Sequence, residues 1–355
     1  MRILFITPYP SEGASNRYRV EQYLPYLKEN DFKCRVSPFV SPEFYRIIYK
    51  RGYFFKKAYY FLKGFLKRAQ DVISLYKYDV IFIHREACPL GMPLFEWLIY
   101  ISGKPMIFDF DDAIFLENFN PANSFYRFLK FPSKIKHIIR MSKVVIAANM
   151  FLKEYAGKFN KNVYIIPTCV DTEKFNALEK NNNPLIIGWI GSPTTAPYLR
   201  IIYGALRRLS RRYAFVFKVV GAGEDMVIPD VRVENREWRM AEESHDFQSM
   251  DIGVYPLPDN LWARGKAGFK AIQYMAAGVP AVVSPVGMVN DFIQDGSNGF
   301  LAGTEDEWVK KISALIENVS LRHDIGFAGR KTVEEKFSVK VNVYKYLEII
   351  KKAGV

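Results

Sequence analysis

Short apolar runs alternate with longer stretches of helical spacing along the first half of the chain. Runs rich in β-branched and aromatic residues predict strands, and apolar positions three or four residues apart predict intervening helices, as at 18–29 and 151–159. Because the strands are apolar almost throughout, they indicate a parallel sheet covered on both faces. The predicted strands are 3–7, 80–84, 106–111, 144–147 and 163–166.

The same alternation starts again after a polar stretch at 177–183. We therefore expect an α/β fold of two Rossmann-like, doubly wound parallel-sheet domains, at 1–172 and 173–338. The last segment, 339–355, predicts a helix that packs back on the first domain. Ligands of such sheets bind beyond the carboxyl ends of the strands, so we expect two facing domains with the substrate in a cleft between them. The predicted strands of the second domain are 184–190, 215–220, 252–255 and 281–284.

Composition narrows the class of protein. The chain has 355 residues, of which 49% are hydrophobic and 25% are charged, which is typical of a folded protein with packed cores. Three scattered cysteines, Cys34, Cys88 and Cys169, form no CxxC pair and predict neither a disulfide framework nor a structural zinc site. We therefore expect a reducing, cytoplasmic compartment. No uninterrupted apolar run is long enough to predict a membrane span.

The formal net charge of +13 is unevenly distributed. Residues 1–175 contain 27 Lys and Arg against 16 Asp and Glu, a net charge of +11, whereas residues 176–355 contain 23 against 21, a net charge of +2. This asymmetry indicates an anionic partner of the first half, such as a membrane surface, a phosphate-bearing substrate or nucleic acid.

Much of that charge lies at 44–70, a segment with ten aromatic residues, eight Lys or Arg and no acid. This composition predicts an interfacial helix on an anionic membrane surface, and the alternative is a core helix with a basic solvent face. Aromatic residues beside cations also suit single-stranded nucleic acid, but no nucleic-acid motif accompanies them, so we expect no such partner. The predicted apolar face comprises Phe54, Phe55, Ala58, Phe61, Leu62, Phe65 and Leu66, with Lys56, Lys57, Lys63 and Lys67 opposite.

Five sequence motifs occur in the order found in one enzyme family. They resemble glycosyltransferase family 4, the retaining, metal-independent nucleotide-sugar transferases of the GT-B fold. The resemblance implies a UDP- or GDP-linked sugar as the donor substrate and no cofactor. The motifs are IIPTCVDTEKF at 165–175, GWIGSPTTAPYL at 188–199, DIGVYPLPDN at 251–260, GKAGFKAIQYMAAGVPAVVSPVG at 265–287 and DGSNGFLA at 295–302.

The resemblance also implies a donor site around 264–273, although the two glutamates of the family motif are replaced. Gly265 stands where the first glutamate orients the donor sugar, and Gln273 stands where the second binds the ribose. Lysines beside helix N-terminal amides suit a diphosphate, and the alternative is a helix with ordinary surface lysines. The expected donor-binding residues here are Arg264, Gly265, Lys266, Gly268, Phe269, Lys270 and Gln273, with Lys266 and Lys270 also catalytic.

Two further loops are expected to contact the donor. Gly191 and Ser192 follow the first strand of the second domain, where many relatives carry an Arg and a Lys that grip the diphosphate. Backbone amides and hydroxyls can bind phosphate there. In the first loop of the chain, Gly13 would let the backbone approach a ligand, and Arg17 and Arg19 would contact a phosphate, unless they only begin a helix.

Asp111 and Asp112 are the remaining catalytic candidates. They end the run FDFDDA, where many relatives have a His-Asp pair near the donor sugar. The alternatives are a metal site and an Asp that caps the following loop. His84 and Arg85 end another strand and are expected at the same edge, although a structural role is expected for His84.

Together these features predict a retaining glycosyltransferase with a glycan or lipid-linked acceptor, working in the cytoplasm or peripherally on the cytoplasmic face of the membrane. Replacement of both motif glutamates leaves open a catalytically degenerate relative that binds a nucleotide or glycan.

Overall fold

The computed structural model describes residues 1–50, 52–116, 131–178 and 182–354. Residue 51 of the basic aromatic segment and residues 179–181 of the polar stretch lie outside the described residues. The chain divides into two compact units. Unit 1 comprises Met1–Thr168 with Asn342–Val355, and unit 2 comprises Cys169–Val341.

Unit 1 is built on a six-stranded parallel sheet with the order β2-β1-β3-β4-β5-β6. The strand order reverses at β1, which lies between β2 and β3, so this sheet is doubly wound. Sequence patterning missed β2, because it is an edge strand with alternating exposed polar residues rather than a continuous apolar run. The strands are β1 Arg2–Thr7, β2 Lys33–Pro38, β3 Val80–His84, β4 Met106–Phe110, β5 Val144–Ala147 and β6 Val163–Ile165.

The helix predicted at 18–29 is broken in the structure. A helix ends at Arg19, a 3-10 turn follows at Glu21–Tyr23, and a second helix begins at Leu24 with Pro25 in its first turn. Proline lacks the amide hydrogen that a continuous helix would need there. The helices of this part of unit 1 are α1 Ala14–Arg19, α2 Leu24–Glu29, α3 Pro42–Ile48, α4 Phe54–Ile73, α5 Leu94–Ile101, α6 Lys134–Met141 and α7 Met150–Gly157.

Helix α4 has a polar buried side. Its buried residues are Lys57, Gly64, Arg68 and Asp71. The alternative of a core helix with a basic solvent face therefore does not describe α4. Lys57, expected on the exposed basic side, is buried and its Nζ donates to the carbonyl oxygen of Lys50 at 2.6 Å.

Unit 2 contains a second six-stranded parallel sheet, with the order β12-β11-β10-β7-β8-β9. Its first strand, β7, again lies at the reversal of strand order, between β8 and β10. Trp189, Phe217 and Trp308 are fully buried in its core. The strands are β7 Leu185–Ile190, β8 Phe215–Val220, β9 Val233–Arg236, β10 Ile252–Tyr255, β11 Ala281–Val283 and β12 Phe300–Leu301. The helices are α8 Tyr203–Ser210, α9 Glu243–Gln248, α10 Leu261–Arg264, α11 Phe269–Ala276, α12 Val289–Phe292, α13 Glu305–Glu317 and α14 Val319–Lys336.

The last helix, α15, spans Val339–Gly354 and belongs to unit 1 from Asn342 onward. Tyr346 stacks on Tyr23 with ring centroids 4.1 Å apart, and its hydroxyl donates to the carbonyl oxygen of Arg19 at 3.3 Å. The end of the chain thus completes the core around the start of the chain.

The two doubly wound parallel sheets confirm the predicted fold class. Among the described residues, no helix is long and apolar enough to cross a membrane.

Candidate active site

A lysine stands over the point where the strand order of unit 2 reverses. Trp189 lies near the carboxyl end of β7, and Tyr255 ends the neighbouring strand β10. The Nζ atom of Lys270 lies 5.8 Å from the ring centroid of Trp189 and 5.4 Å from that of Tyr255. Such distances are those of cation–π contacts, and the reversal point of a doubly wound sheet is where ligands bind. The geometry therefore presents a cation at the expected ligand edge.

Gly268 sets the start of the helix that carries Lys270. It is the N-cap of α11 and adopts φ +61°, in the left-handed region. A Cβ there would also come within 3.1 Å of Val289 and 3.2 Å of Phe292. The backbone conformation therefore favours glycine and the packing is tight around it, and Phe269 and Lys270 form the first turn beyond it.

Tyr274, which sequence reasoning missed, fastens α11 to the sheet. Its buried hydroxyl accepts a hydrogen bond from the amide of Ile190 at 3.2 Å and lies 3.3 Å from the carbonyl oxygens of Gly188 and Val254. Burial raises the pKa of Tyr274, so the phenol stays neutral. Gly253 on β10 makes room for the ring, since a Cβ there would overlap it. In the sequence, a glycine within the predicted strand 252–255 is the signal that could have indicated a large side chain packed against that strand.

The other predicted residues of this loop occupy different settings. Gln273 is buried on α11, and the Nζ atom of Lys266 lies 5.6 Å from the ring centroid of Trp262. Gly265 follows α10 with an ordinary φ of −78°. Arg264 is half-exposed and forms a bidentate ion pair with Asp259. Its Nε donates to Oδ1 at 2.7 Å and its Nη2 donates to Oδ2 at 3.1 Å. Arg264 is thus engaged by a neighbouring carboxylate, whereas Lys266 and Lys270 each lie over an aromatic face.

The loop after β7 is a preformed turn. The amide of Gly191 donates to the carbonyl oxygen of Val220 at 2.9 Å, and a Cβ on Gly191 would overlap the Trp189 ring. The amide of Ser192 donates to the Thr195 hydroxyl at 3.2 Å, and its own hydroxyl lies 2.8 Å from that of Thr194. The glycine is therefore explained by the tryptophan beneath it, and the three hydroxyls are organised within the turn.

In unit 1, Asp111 and Asp112 share one arginine. Arg85 follows β3 with φ +62° and donates from Nε to Asp111 at 2.7 Å and from Nη2 to Asp112 at 2.6 Å. A non-glycine residue in the left-handed region is uncommon and has an energetic cost, which the two ion pairs offset. The structure therefore places both predicted carboxylates on a guanidinium, and it lends no support to the metal alternative at these two residues.

This arrangement controls the protonation of Asp111. Burial alone would raise the pKa of Asp111, but the charge of Arg85 and the hydrogen bond that Arg85 donates outweigh burial and hold the pKa well below its usual range. For Arg85, burial acts to lower the pKa, and the two carboxylates reverse that effect and raise it. Both partners are therefore charged near neutral pH.

A second buried ion pair lies beneath this edge. Asp109 on β4 accepts from Nε of Arg19 at 3.1 Å and lies 2.7 Å from Nδ1 of His84. Arg19 also donates to the carbonyl oxygen of Ile166 at 2.7 Å. The sequence made Arg19, like Arg17, a candidate phosphate contact and made Asp109 one of three acids of the metal alternative, whereas the structure pairs the two in a buried contact. His84 is fully buried and contacts Asp109, in agreement with the structural role expected for it.

The first loop is held by its own contacts. Gly13 is the N-cap of α1, and a Cβ there would lie 3.2 Å from the carbonyl oxygen of Pro10 and would overlap Tyr9. Nη1 of Arg17 donates to the carbonyl oxygen of Ser11 at 2.9 Å and lies 3.3 Å from that of Glu12. The structure thus gives both residues a local role in shaping the loop.

Part of unit 2 is similar to a known family of proteins. Residues 184–318, less than half of the chain, match the family model described as "Glycosyl transferases group 1". This match confirms the resemblance to group 1 glycosyltransferases, and the finer assignment to family 4 stays a prediction.

The chain is also similar to individual proteins. A capsular polysaccharide biosynthesis glycosyltransferase, CapM of Staphylococcus aureus, is 33% identical over 104 residues, which are 29% of this chain and 26% of that protein. The alignment therefore spans only about a quarter of that relative. Among solved structures, Anabaena HepE in complex with UDP-glucose has a TM-score of 0.70 at 15% identity, covering 99% of this chain and 100% of that one. A glycosyltransferase from Rickettsia africae has a TM-score of 0.68 at 16% identity, covering 99% and 98%. At these identities the structures show the fold, which is GT-B.

Proposed function

We propose that the protein is a retaining glycosyltransferase that moves a sugar, a hexose by preference, from a UDP- or GDP-linked donor to a glycan acceptor. The observation that carries the proposal is the ammonium of Lys270 over Trp189 and Tyr255, at the strand reversal of a sheet in the family-matched unit. The match to group 1 glycosyltransferases and the likeness in fold to a protein crystallised with UDP-glucose support the same reading.

In this proposal the donor diphosphate lies against the start of α11. The acceptor hydroxyl oxygen bonds to the anomeric carbon as the bond from that carbon to the β-phosphate oxygen breaks, and the hydroxyl proton passes to the leaving phosphate. Negative charge grows on the diphosphate during this step, and a fixed cation beside a helix N-terminus stabilises it. Lys270 supplies that cation and Lys266 adds to it. We propose that this charge makes the transfer independent of a metal ion and of any cofactor.

Two residues take the places of the motif glutamates. The amide of Gln273 can both donate to and accept from ribose hydroxyls. Gly265 has no side chain with which to read the donor sugar, so we propose that the sugar is oriented by other groups of the site. The amides of Gly191 and Ser192 already donate to Val220 and Thr195, so the preformed turn offers its hydroxyl groups to the diphosphate.

We propose that the acceptor is lipid-linked or an envelope polysaccharide and that unit 1 binds it. The net charge of +11 over residues 1–175 supports an acceptor at an anionic membrane surface, with the protein peripheral on its cytoplasmic face. The polysaccharide role in the name of the CapM relative supports the same acceptor class.

A donor panel tests the function directly. The full chain is screened for thermal stabilisation by UDP, GDP and their sugar conjugates, and then for release of nucleoside diphosphate. We expect one base to stabilise the protein, by about 2.7 kcal/mol when its concentration is 100 times Kd, and its sugar conjugate to be turned over. Absence of stabilisation by every nucleotide would refute the proposal. Binding of a sugar conjugate without hydrolysis or transfer to glycan and lipid-linked acceptors would instead identify a non-catalytic relative.

A further inference from the structure

Helix α4 exposes an apolar stripe. Its exposed large apolar residues recur every three or four positions from Phe55 to Leu66, and Ile73 lies two turns further along the same side. Phe55 is 85% exposed and Leu62 is 56% exposed. A helix of a soluble domain normally turns such a stripe toward the core. The stripe comprises Phe55, Tyr59, Leu62, Leu66 and Ile73.

Contacts on the buried side of α4 prevent the helix from rotating about its axis to bury the stripe. Arg68 is fully buried and donates to Asp71 at 2.7 Å and to the carbonyl oxygen of Ala87 at 2.9 Å. Asp71 also accepts from the hydroxyl of Ser37 at 2.6 Å. At Gly64, a Cβ would come within 2.7 Å of the carbonyl oxygen of Phe39. Rotation would break a buried ion pair and leave its charges uncompensated, so the outward direction of the stripe is set by the contacts beneath it.

Helix α5 extends the apolar surface. Phe65 of α4 contacts Phe95 of α5 with ring centroids 4.9 Å apart. On the outer side of α5, Leu94, Trp97 and Ile101 are each about half exposed and are three and four positions apart. We call the outward side chains of these two helices the α4–α5 face.

The charge of the α4–α5 face has one sign. Asp71 and Glu96 are the only acids on the two helices, all residues of which the structure describes, and both are buried. Glu96 accepts a hydrogen bond from the amide of Ala87 at 2.8 Å. Lys56 and Lys63 are exposed on α4. The two helices thus present apolar and cationic groups to their surroundings and no carboxylate.

We propose that the α4–α5 face binds the surface of an anionic lipid bilayer. Its apolar side chains enter the headgroup region, Trp97 lies at the interface, and Lys56 and Lys63 contact lipid phosphates. A second copy of the chain would bring two cationic faces together, and the aliphatic residues Leu62, Leu66, Ile73 and Ile101 offer nucleic acid no stacking surface. This inference deepens the proposed membrane location: it adds α5, and it identifies the Arg68–Asp71 pair as the feature that holds the face outward.

Vesicle co-sedimentation tests the proposal. Full-length protein is mixed with phosphatidylcholine vesicles that contain or lack phosphatidylglycerol, over a salt series. We expect binding to the anionic vesicles only, and we expect it to weaken with salt. The combined variant Leu62→Ser/Leu66→Ser/Trp97→Ser should bind at least about tenfold more weakly, because each apolar side chain contributes more than 1 kcal/mol when buried. Lys56→Gln and Lys63→Gln should each weaken binding about fivefold, from ~1 kcal/mol per lysine.

A matched control replaces three exposed apolar residues elsewhere, as Val227→Ser/Phe327→Ser/Tyr344→Ser, and should bind vesicles like the unmodified protein. Circular dichroism and the midpoint of thermal unfolding establish that each variant is folded. Failure of the unmodified protein to sediment with anionic vesicles, or equal binding by the Leu62/Leu66/Trp97 variant, would overturn the proposal. Displacement from vesicles by a single-stranded oligonucleotide whose binding needs the same residues would also overturn it, in favour of nucleic acid.

Donor turnover separates this proposal from the glycosyltransferase proposal. The Leu62/Leu66/Trp97 variant should be stabilised by nucleotide and should release nucleoside diphosphate as the unmodified protein does. If the protein bound vesicles but no nucleotide, the membrane-binding role of the α4–α5 face would be supported. Only the glycosyltransferase proposal would be refuted.

Discussion

The two sheets each reverse their strand order at their first strand, but their carboxyl edges carry different chemistry. In unit 1, Arg85 after β3 is shared by Asp111 and Asp112, so the charges neutralise one another within the protein. In unit 2, the ammonium of Lys270 lies over the rings of Trp189 and Tyr255. An aromatic face stabilises a cation without cancelling its charge, whereas a carboxylate cancels it. The comparison indicates that charged groups hold the edge of unit 1 together, whereas the edge of unit 2 carries the cation to which we assign the donor diphosphate.

The largest expected effect is at Lys270. Lys270→Met keeps an unbranched side chain over the rings but removes the charge, and we expect it to lower kcat for nucleoside diphosphate release about 100- to 1000-fold. Lys270→Arg should retain more activity. Arg264→Ala is the control, because Arg264 is already paired with Asp259 on the surface, and we expect it to change kcat little. Equal losses for Lys270→Met and Arg264→Ala would remove the distinction between the two cations.

The next effect is on the stability of unit 1. Arg85→Ala leaves two adjacent carboxylates without their shared cation, and we expect the free energy of unfolding to fall by about 3 kcal/mol. Urea unfolding followed by circular dichroism measures it. Arg264→Ala again serves as the control, because its ion pair is exposed to solvent and exposed pairs contribute little. If Arg85→Ala were as stable as the unmodified protein, the ion pairs of Arg85 with Asp111 and Asp112 would not stabilise unit 1.

A smaller effect is expected beneath Lys270. Tyr274→Phe leaves the buried amide of Ile190 without its acceptor, at a cost of about 1–2 kcal/mol to unit 2. The Michaelis constant for the donor should rise as α11 loosens. Tyr213→Phe makes the same change at an exposed hydroxyl, which donates to Glu317, and should leave both quantities unchanged. Identical behaviour of the two variants would show that Tyr274 does not position the helix.

The smallest effect is a dependence on pH. The pKa of Asp111 is lower in the folded protein than in the unfolded chain, so its ionisation stabilises the fold above about pH 4 and that contribution is lost as the pH falls through the lowered pKa. Asp111→Asn cannot ionise. The stability difference between the unmodified protein and Asp111→Asn, measured by urea unfolding, should therefore be largest at neutral pH and shrink in acid. A difference independent of pH would show that the carboxylate charge is not the cause.

Continuous apolar strands and ordered motifs made much of this fold predictable. β3, β5, β8 and β10 have the bounds that patterning predicted, because each is buried throughout and ends at turn residues. β2 was missed because an edge strand needs only one row of apolar residues. The break in the helix at 18–29 also depends on a backbone detail at Val20 and Pro25 that apolar spacing does not reveal.

The candidate site was less predictable, because side-chain pairing is a property of three-dimensional packing. The motifs directed attention to Lys266 and Lys270, but the rings beneath Lys270 come from β7 and β10, which are far apart in sequence. Likewise, nothing in FDFDDA indicates that Arg85, 26 residues earlier than Asp111, forms ion pairs with both Asp111 and Asp112. Arg264 was grouped with the lysines by sequence alone, and only the structure shows its ion pair with Asp259.

The last helix has a consequence for the order in which the protein folds during its synthesis. Unit 2 is one uninterrupted stretch of chain, whereas unit 1 needs both ends of the chain, since Tyr346 stacks on Tyr23 and covers Arg19. Because the chain is synthesised from its N-terminus, residues 1–168 lack the helical segment from Asn342 onward until all of unit 2 has been made. Unit 2, although made second, is therefore the first unit that can reach its full native structure.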